Sequence, residues 1–412
     1  MTNSHATANG ARVIADLNEL RAIGAYRSGV HKPTFSPEHM QSLAWLSGKL
    51  PEAGLSGRMD GIGNLIGTSE KVGPKLLAGS HLESQSHAGW LDGPLGVVYA
   101  LEAGRIINND PAIAGSVEVA AWCDEEGHFG SLMGSRSYVG DVSEAEIDAA
   151  RDRTSGRTMR EALRDVGLAG VPRAGVEHGR YLGYLEAHIE QGDTLESRNL
   201  KIGVVTSIVG IWQYRITFTG AQNHAGTTRM AVRKDAGLAL AHFCVAIDQR
   251  FPDVASGRTV WTTGRITLDP GAPSIIPGSA EMLFQIRDDD PNVVVRLESL
   301  LQTMAKEVTD AGPCAVSIER IRAGVPAPMN ASIQDAIEAA AEVHAPAKSL
   351  RMHSGAGHDA QILATVMPAG MLFVPSIGGI SHHWTENTSD EDIALGATVF
   401  VEACRRMLSA AR

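Results

Sequence analysis

Cysteine is scarce in this chain of 412 residues, which contains only four. Cys123, Cys244, Cys314 and Cys404 are far apart and form no CxxC pair. A disulfide framework and a cysteine-rich zinc cluster are therefore not indicated, and the pattern is typical of reduced core thiols in a cytoplasmic protein. Cys123 lies beside an acidic segment, so a role as a metal ligand stays open for it.

An excess of positive charge and long apolar runs are also missing. The chain has 36 Lys and Arg against 47 Asp and Glu, a net charge of −11. This balance argues against a nucleic-acid surface and against an anionic membrane surface. No run approaches about 18 apolar residues, and the amino terminus has no basic region followed by an apolar core, so we expect neither a membrane span nor a signal peptide.

Three consecutive acids, Asp124, Glu125 and Glu126, form the most informative segment. They follow residues 116–121, a β-branched run that indicates a buried strand. A buried carboxylate without a partner costs several kcal/mol, so a cation or water in a cleft is expected nearby. Ligands of open α/β sheets bind at the carboxyl ends of strands. We interpret Glu125 and Glu126 as a base beside a metal ligand; the alternative is a solvated acidic turn.

The order of predicted elements indicates an α/β protein with a second domain inserted into the first. Strand 75–79, helix 94–107 and strand 116–121 form a βαβ unit, which predicts a mostly parallel sheet. A β-α-β-β-α-β series, typical of a ferredoxin-like α+β domain, follows, and the parallel pattern then resumes near residue 326. The predicted elements of this series are strand 204–220, helix 235–250, strands 260–268 and 280–286, helix 291–311 and strand 315–322. We predict one discontinuous domain, 1–208 with 326–412, and an inserted domain, 209–325.

Further candidate ligands lie at the ends of predicted strands or in the loops after them: His81, Asp92, His188 and His382. With Glu126 they make three imidazoles and two carboxylates, a set suited to Zn, Mn, Co or Ni, in which one carboxylate can bridge two ions. Two such ions polarise a carbonyl and generate hydroxide, and Glu125 would move the proton. Taken singly, each His could be an ordinary surface residue and Asp92 a turn former.

Other hydrolytic and phosphate-binding patterns are not found. Residues 355–357 (GAG) lack the lysine and the spacing of a phosphate-binding loop. The serines show no GxSxG setting, so a serine hydrolase is not indicated.

Six segments carry a resemblance to a known family: GSHLESQSHAGWLDG, DEEGHFGSLMGSR, YLEAHIEQGDTLE, NHAGTTRM, SGAGHDA and GISHHWTENT. They resemble the amidase branch, of hydantoinase/carbamoylase type, of the dinuclear zinc aminoacylase/carboxypeptidase family. That branch contains N-carbamoyl-L-amino acid hydrolases, β-ureidopropionase and allantoate amidohydrolase. The resemblance extends from about residue 11 to residue 410, and HIEQG and NHAGTT are its most specific motifs.

The resemblance implies a zinc-exopeptidase-like catalytic domain, an inserted lid and dimerisation domain, and two metal ions per subunit. His81 and His188 would hold one ion, Glu126 and His382 the other, and Asp92 would bridge them. Glu125 would be the general acid and base.

The resemblance also implies a set of substrate contacts. His224 would reach the partner subunit's active site and stabilise the oxyanion. Asn223 sits beside it in the same loop, and Arg287 would clamp the substrate carboxylate. Contacts from Gln191 and from the SGAGHDA segment, at Gly357 and His358, are expected as well, with structural support as the alternative for His358.

Several positions depart from the family pattern. Glu83 stands where the family has an aspartate that orients the first histidine, and it could reach His81 through a longer arm. Ser274 replaces an asparagine expected to grip the substrate carboxylate, and Arg229 replaces a proline. His383 replaces a serine; with Trp384 it would shape the side-chain pocket or be a bystander.

The expected protein is a homodimeric, metal-dependent amidohydrolase that cleaves N-carbamoyl-L-amino acids to the amino acid, CO₂ and ammonia. Allantoate, β-ureidopropionate and N-acyl amino acids stay open as alternative substrates. A non-catalytic binding protein that has kept the fold is a more remote alternative.

Overall fold

The computed structural model describes residues 7–410 of the chain. Their contacts divide them into two compact units. The first takes the described residues of Met1–Thr206 and Pro328–Arg412, and the second is Ser207–Ala327.

The first unit is built on a mixed sheet that is parallel in its centre and antiparallel at its margins. The parallel strands lie in the order Ala369–Val374, Tyr181–Ile189, Lys75–His81 and Ser116–Trp122. The marginal strands are Leu65–Thr68 and Ser56–Met59 on one side, and Ile202–Ile208, Ser349–Ser354 and the short Ala327–Pro328 on the other. A separate two-stranded pair joins Ala25–Tyr26 to Gly29–Val30. The predicted α/β class is confirmed, and the sheet is mixed, with its four central strands parallel.

Helices cover this sheet, and the most buried of them connects two central strands. Every residue of Pro94–Ile107 is buried, which fits its apolar character all round. Its proline occupies the first turn, where no intrahelical N–H bond is lost. The α-helices of this unit are Gly10–Ala22, Pro37–Lys49, Pro94–Ile107, Met133–Tyr138, Glu144–Ala149, Met159–Asp165, Thr194–Ser197, Ala331–His344, Asp359–Leu363 and Asp390–Ala410, with short 3₁₀ turns at Leu50–Ala53 and Ile377–Gly379.

The second unit is an antiparallel sheet packed on two helices. Its strands lie in the order Val260–Asp269, Ser279–Asp288, Gly210–Thr219 and Ala315–Ala323, and its helices are Ala236–Arg250 and Pro291–Ala311. Alternate residues of Ser279–Asp288 are buried, as expected for a sheet with one covered face. The short strands Asn223–His224 and Ile275–Ile276 pair outside this sheet, and 3₁₀ turns lie at Met230–Val232 and Phe251–Asp253. The connectivity is the predicted β-α-β-β-α-β.

One predicted strand is divided between two sheets. Residues 204–220 were expected to be continuous, but Ile202–Ile208 joins the large sheet and Gly210–Thr219 joins the small one. Residues 208–212 (IVGIW) contain no polar side chain that marks a boundary, so hydrophobic alternation alone does not reveal the break. A side chain at Gly210 would meet the carbonyl oxygen of Gly324 at 2.6 Å.

Two other features of the fold are local. Residues 131–170 contain three short helices, and the strand Ser349–Ser354, which has no β-branched residue, was not predicted. Among the described residues, every helix is too short or too polar to cross a bilayer.

Candidate metal centre

Two groups of potential ligands meet at the carboxyl ends of the parallel strands, and Asp92 belongs to both. The first group is His81, Asp92 and His188, and the second is Asp92, Glu126 and His382. Within each group the ligand atoms lie within 4.8 Å of one another. The structure therefore brings together all five side chains that the sequence singled out as metal ligands.

Asp92 presents one carboxylate oxygen to each group. Its Oδ1 lies 3.1 Å from His188 Nε2 and 3.5 Å from His81 Nε2. Its Oδ2 lies 3.3 Å from His382 Nε2, which in turn is 3.8 Å from Glu126 Oε2. An aspartate that faces two ligand sets with different oxygens has the arrangement of a bridging carboxylate.

The two buried imidazoles have the tautomer that a metal ligand needs. His81 Nδ1 donates to the carbonyl of Glu83 at 3.1 Å, and His188 Nδ1 donates to that of Ile189 at 3.0 Å. Since each Nδ1 carries the proton, each Nε2 points a lone pair at the carboxylate of Asp92 unless a proton or a cation lies between them. The Nε2 atom of His81 is buried and makes no hydrogen bond among the described residues.

The electrostatics of the site favour positive charge at the same point. Burial lowers the pKa of His81, but the nearby carboxylates of Asp92, Glu125 and Glu83 outweigh it, so the pKa is raised well above its usual value. Burial raises the pKa of Asp92, but the imidazoles of His188, His382 and His81 around it outweigh burial and lower that pKa well below its usual value. The residues present thus fit divalent cations in both position and charge.

Glu125 lies beside the first ligand group without belonging to either. Its Oε2 is 3.6 Å from His81 Nε2, and its side chain is 12% exposed. Burial raises the pKa of Glu125 well above its usual value; His81 opposes this rise, while the charges of Glu126, Asp359 and Asp92 add to it. A carboxyl group with a raised pKa next to a metal site is suited to proton transfer.

Asp124, the first of the three acids, has a structural role. Its carboxylate accepts hydrogen bonds from the backbone amides of His128, Phe129 and Gly130 at 2.8–3.0 Å, and from the Thr34 hydroxyl at 2.7 Å. The sequence analysis expected a cation or water near these acids, but Asp124 is satisfied by the turn that follows it.

Side chains that the sequence analysis did not select hold the ligands in place. Gln85 donates its backbone amide to Glu126 Oε1 at 3.1 Å and its side-chain amide to Glu126 Oε2 at 2.6 Å. Glu386 accepts from the backbone amides of Leu91 and Asp92, each at 3.2 Å. Gln85 follows His81 by four residues and Glu386 follows His382 by four, so proximity to a ligand in the same loop is the signal that could have found them.

Glu83 does not orient His81 in the way the sequence suggested. Its carboxylate oxygen Oε1 lies 3.9 Å from His81 Nδ1, which instead donates to the Glu83 backbone carbonyl. The extra methylene of glutamate carries the carboxylate past the ring. The prediction that the Glu83 carboxylate orients His81 is therefore wrong.

Three further candidates lie around this centre. Gln191 donates its side-chain amide to Asp92 Oδ2 at 2.9 Å and has a left-handed backbone, with φ of 58°. His358 is buried, lies 3.0 Å from Ser354 Oγ through Nε2, and packs its ring 4.6 Å from that of His188. Gly357 precedes it in the same loop. These contacts are compatible with both roles expected for His358, a substrate contact and structural support.

Cys123 and His383, whose roles the sequence analysis left open, make their contacts outside the two ligand groups. Cys123 lies outside both ligand groups of the described chain and packs in an apolar cluster with Phe35, Ile62 and Met133. His383 contacts the Thr385 hydroxyl at 2.7 Å and stacks on Trp384 at 3.9 Å.

The remaining candidates lie in the second unit. Asn223 and His224 pair with Ile276 and Ile275, and the Ser274 carbonyl accepts from the amide of Ala225, so Asn223, His224 and Ser274 lie together at one two-stranded pair. His224 Nδ1 accepts from the amides of Gly226 and Thr227 at 3.0 and 3.1 Å. Its proton is therefore on Nε2, the outward nitrogen of an exposed ring. Arg287 is half-buried in Ser279–Asp288, and burial lowers its pKa.

Comparison with known proteins adds a consistent set of similarities. Residues 75–406 match peptidase family M20/M25/M40. An N-carbamoyl-L-amino-acid amidohydrolase of Paenarthrobacter aurescens is 34% identical over 97% of this chain and 98% of its own length. The allantoate amidohydrolase of Escherichia coli (strain K12) is 32% identical over 89% of this chain and 90% of its own. The crystal structure of a hydantoinase/carbamoylase family amidase from Burkholderia phymatum has a TM-score of 0.87, 42% identity, and coverage of 98% of this chain and 99% of that one.

Proposed function

We propose, from the premise that this chain belongs to peptidase family M20/M25/M40, that it is an amidohydrolase acting on N-carbamoyl-L-amino acids. It would cleave the bond between the carbamoyl carbon and the amino-acid nitrogen, releasing the amino acid, CO₂ and ammonia. The observation that carries the proposal is the pair of ligand groups that share Asp92, with Glu125 beside them. The amidohydrolase relatives, similar over nearly the whole chain, support the reaction class.

The two ligand groups would hold two divalent cations per subunit, zinc or else manganese, cobalt or nickel. His81, His188 and Asp92 would bind one, and Asp92, Glu126 and His382 the other. Such a pair, when bound, polarises a carbonyl oxygen and lowers the pKa of water. The mixture of imidazole and carboxylate donors suits these metals better than it suits calcium or magnesium.

Glu125 would carry the proton. Water that attacks the carbamoyl carbon loses a proton to the Glu125 carboxylate, and the protonated carboxyl then donates it to the nitrogen that leaves. Its raised pKa makes the carboxylate a stronger base than an exposed glutamate, which supports the first half of this exchange. The 12% exposure of its side chain supports access from a cleft.

The substrate carboxylate would be bound by Arg287, with Asn223 and Ser274 from the same unit. A guanidinium presents two parallel N–H donors to a carboxylate, which a lysine cannot reproduce. Gln191, Gly357 and His358, in the first unit, would also contact the substrate. The hydrogen bond from Gln191 to Asp92 supports a position at the metal edge of the substrate.

The second unit would act as a lid and as a dimerisation domain, and His224 would serve the partner's active site. Val260–Asp269 is an edge strand with exposed apolar residues, Ile266 and Leu268 among them, and such an edge is a template for pairing with a second chain. The Nε2–H of His224 is oriented away from its loop and could donate to an oxyanion. A cytoplasmic location is supported by the cysteines, which are free thiols.

Other substrates would use the same machinery. Ser274 has a shorter side chain than the asparagine expected there, which weakens one carboxylate contact and favours a different acyl or ureido group. The similarity to an allantoate amidohydrolase supports that alternative. A purely binding function is opposed by the intact ligand set and by Glu125.

The test is a turnover assay on metal-loaded protein. Ammonia and free amine would be measured for N-carbamoyl-L-amino acids, allantoate, β-ureidopropionate and N-acetyl-L-amino acids, with zinc, manganese, cobalt or nickel. We expect the highest kcat/KM for an N-carbamoyl-L-amino acid and loss of activity with chelator. The variant Glu125→Gln, which removes the proposed base and keeps the metal ligands, should retain metal and lose about 10²–10⁴-fold in kcat. Absence of turnover on the whole panel would reject the proposal, and the highest kcat/KM on allantoate would select the alternative.

A further inference from the structure

A second buried carboxylate lies directly behind Glu125. The Glu83 side chain is fully buried, and its Oε1 accepts a hydrogen bond from the backbone amide of Glu125 at 2.6 Å. Its other oxygen, Oε2, faces Nε2 of His39 at 3.6 Å. His39 is also fully buried, although it is 44 residues away from Glu83 along the chain and lies in the first turn of Pro37–Lys49.

The hydrogen bonds of His39 determine where its proton is. The backbone amide of Phe35 donates to His39 Nδ1 at 3.1 Å, so Nδ1 is an acceptor and the proton is on Nε2. Nε2–H therefore points toward the Glu83 carboxylate. The separation is longer than a hydrogen bond, and neither His39 Nε2 nor Glu83 Oε2 has a hydrogen-bond partner among the described residues, so the contact between them is electrostatic.

The main chain and the side chain of Glu83 contact different functional residues. The backbone carbonyl accepts from His81 Nδ1 and orients a metal ligand. The carboxylate holds the amide of the next functional residue, Glu125, whose own carboxylate lies 3.6 Å from the same histidine. Glu83 thus links the backbone positions of the ligand and of the proposed base.

The turn that carries Glu125 is held from two sides. Asp124 binds the amides of residues 128–130 after it, and its left-handed φ of 59° shows that the chain bends sharply here. The Glu125 amide lies between the strand and this turn and is held by Glu83, a side chain from a different loop. A shift of the Glu83 side chain would therefore move the backbone of Glu125.

We propose that Glu83, which faces the Nε2–H of His39, is a positioning residue that sets the backbone of Glu125 for catalysis. The inference rests on the proposed function, in which Glu125 is the general acid and base. Glu83 and His39 do not touch the substrate. They act by fixing the distance between the Glu125 carboxylate and the reacting atoms, and a misplacement of about 1 Å in such a group can reduce a rate by about 10²-fold.

The test compares isosteric variants that differ only in hydrogen bonding. In Glu83→Gln, the amide cannot accept from Glu125 without pointing its NH₂ group at the Nε2–H of His39. In His39→Phe the donor is lost, whereas in His39→Gln a side-chain N–H is kept near the same position. We expect Glu83→Gln and His39→Phe each to lower kcat by about 10-fold or more with KM changed by less than about 2-fold, and His39→Gln to lose far less.

Two controls separate positioning from a general structural effect. Metal content and the thermal unfolding midpoint are measured for each variant, and the Glu83→Gln/His39→Phe double variant is expected to be no slower than the slower single variant, because both changes disrupt one contact. A metal-loaded Glu83→Gln or His39→Phe enzyme with unchanged kcat, or strictly additive losses, would overturn the inference. If Glu83→Gln does not retain metal, the difference between His39→Phe and His39→Gln decides alone.

Failure of this inference is distinguishable from failure of the proposed function. An inactive Glu125→Gln together with a fully active His39→Phe removes the positioning role and keeps the base. A fully active Glu125→Gln removes the base itself, and with it the reason for Glu83 to matter.

Discussion

The two units present their candidate site residues in opposite ways. In the first unit, four of the five candidate metal ligands, His81, Asp92, Glu126 and His188, are buried and only His382 is exposed. In the second unit, Asn223 and His224 are exposed, and the hydrogen bonds of their side chains are local to one loop. Cations need ligands that are already in place and stripped of water, whereas a residue that contacts a transient substrate must stay reachable.

The two units also differ in how their candidate site residues are held in place. Glu126 is held by Gln85, and Asp92 by Gln191 and, through its amide, by Glu386. His224 is oriented by amides two and three residues further along the chain. The first unit therefore holds its site residues with many elements of the fold, whereas His224 is held by its own loop, so substitutions should separate metal binding from turnover.

The largest effect should come from the residue that both ligand groups share. Asp92→Asn removes the negative charge that faces three imidazoles, and we expect loss of bound metal and a fall in kcat/KM of at least about 10³-fold. Metal analysis and steady-state kinetics would measure both. Asp148→Asn, which alters an exposed aspartate paired with Arg160 in the same unit, is the matched control and should behave as wild type. Two bound cations in a fully active Asp92→Asn would contradict the shared role.

A smaller effect is expected in the second unit. His224→Asn keeps a short acceptor near Nδ1 but loses the Nε2–H, and we expect kcat to fall about 10²–10³-fold with normal metal content. If His224 acts across a dimer, mixing this variant with Glu125→Gln should restore activity, because each mixed dimer has one intact site. Random exchange of equal amounts would restore about one quarter of wild-type activity. No recovery after verified subunit exchange would place His224 in the site of its own chain.

The smallest expected effect is on stability, and measuring it tests how the first unit tolerates a buried lysine side chain. Lys32 is 1% exposed, and its Nζ donates to the Leu20 carbonyl at 2.7 Å. Burial lowers the pKa of Lys32 to about 7. Since the unfolded chain binds more protons than the folded one between pH of about 7 and 10, the free energy of unfolding should rise with pH across that window and be lowest below it.

Lys32→Met should remove this dependence. We expect it to raise the free energy of unfolding at pH 7 by about 1–3 kcal/mol, with a smaller gain near pH 10, measured by denaturant titration at both values. Lys75→Met is the contrasting control: Lys75 pairs with the buried Glu118 at 2.9 Å, so its loss should destabilise. An unchanged pH slope in Lys32→Met would show that another group is responsible.

Much of the candidate centre could be predicted because its ligands follow strands. His81 ends Lys75–His81, Glu126 follows Ser116–Trp122, and His188 lies in Tyr181–Ile189, all of them parallel neighbours. Hydrophobic runs identify such strands locally, and parallel strands end at one edge of the sheet. The same reasoning misses the division of residues 202–219, because the alternation of side chains does not report which sheet a strand joins.

The sequence by itself determined the class of fold, the order of its elements and the donors that gather at the sheet edge, because these depend on local periodicity and on residue chemistry. Only the tertiary structure decided how the donors are held: that Glu83 offers its carbonyl to His81 and its carboxylate to Glu125, and that His39 stands behind it. Such contacts join residues far apart in the chain. They depend on differences of a few tenths of an ångström in how side chains pack, and a pattern of residue types does not record such differences.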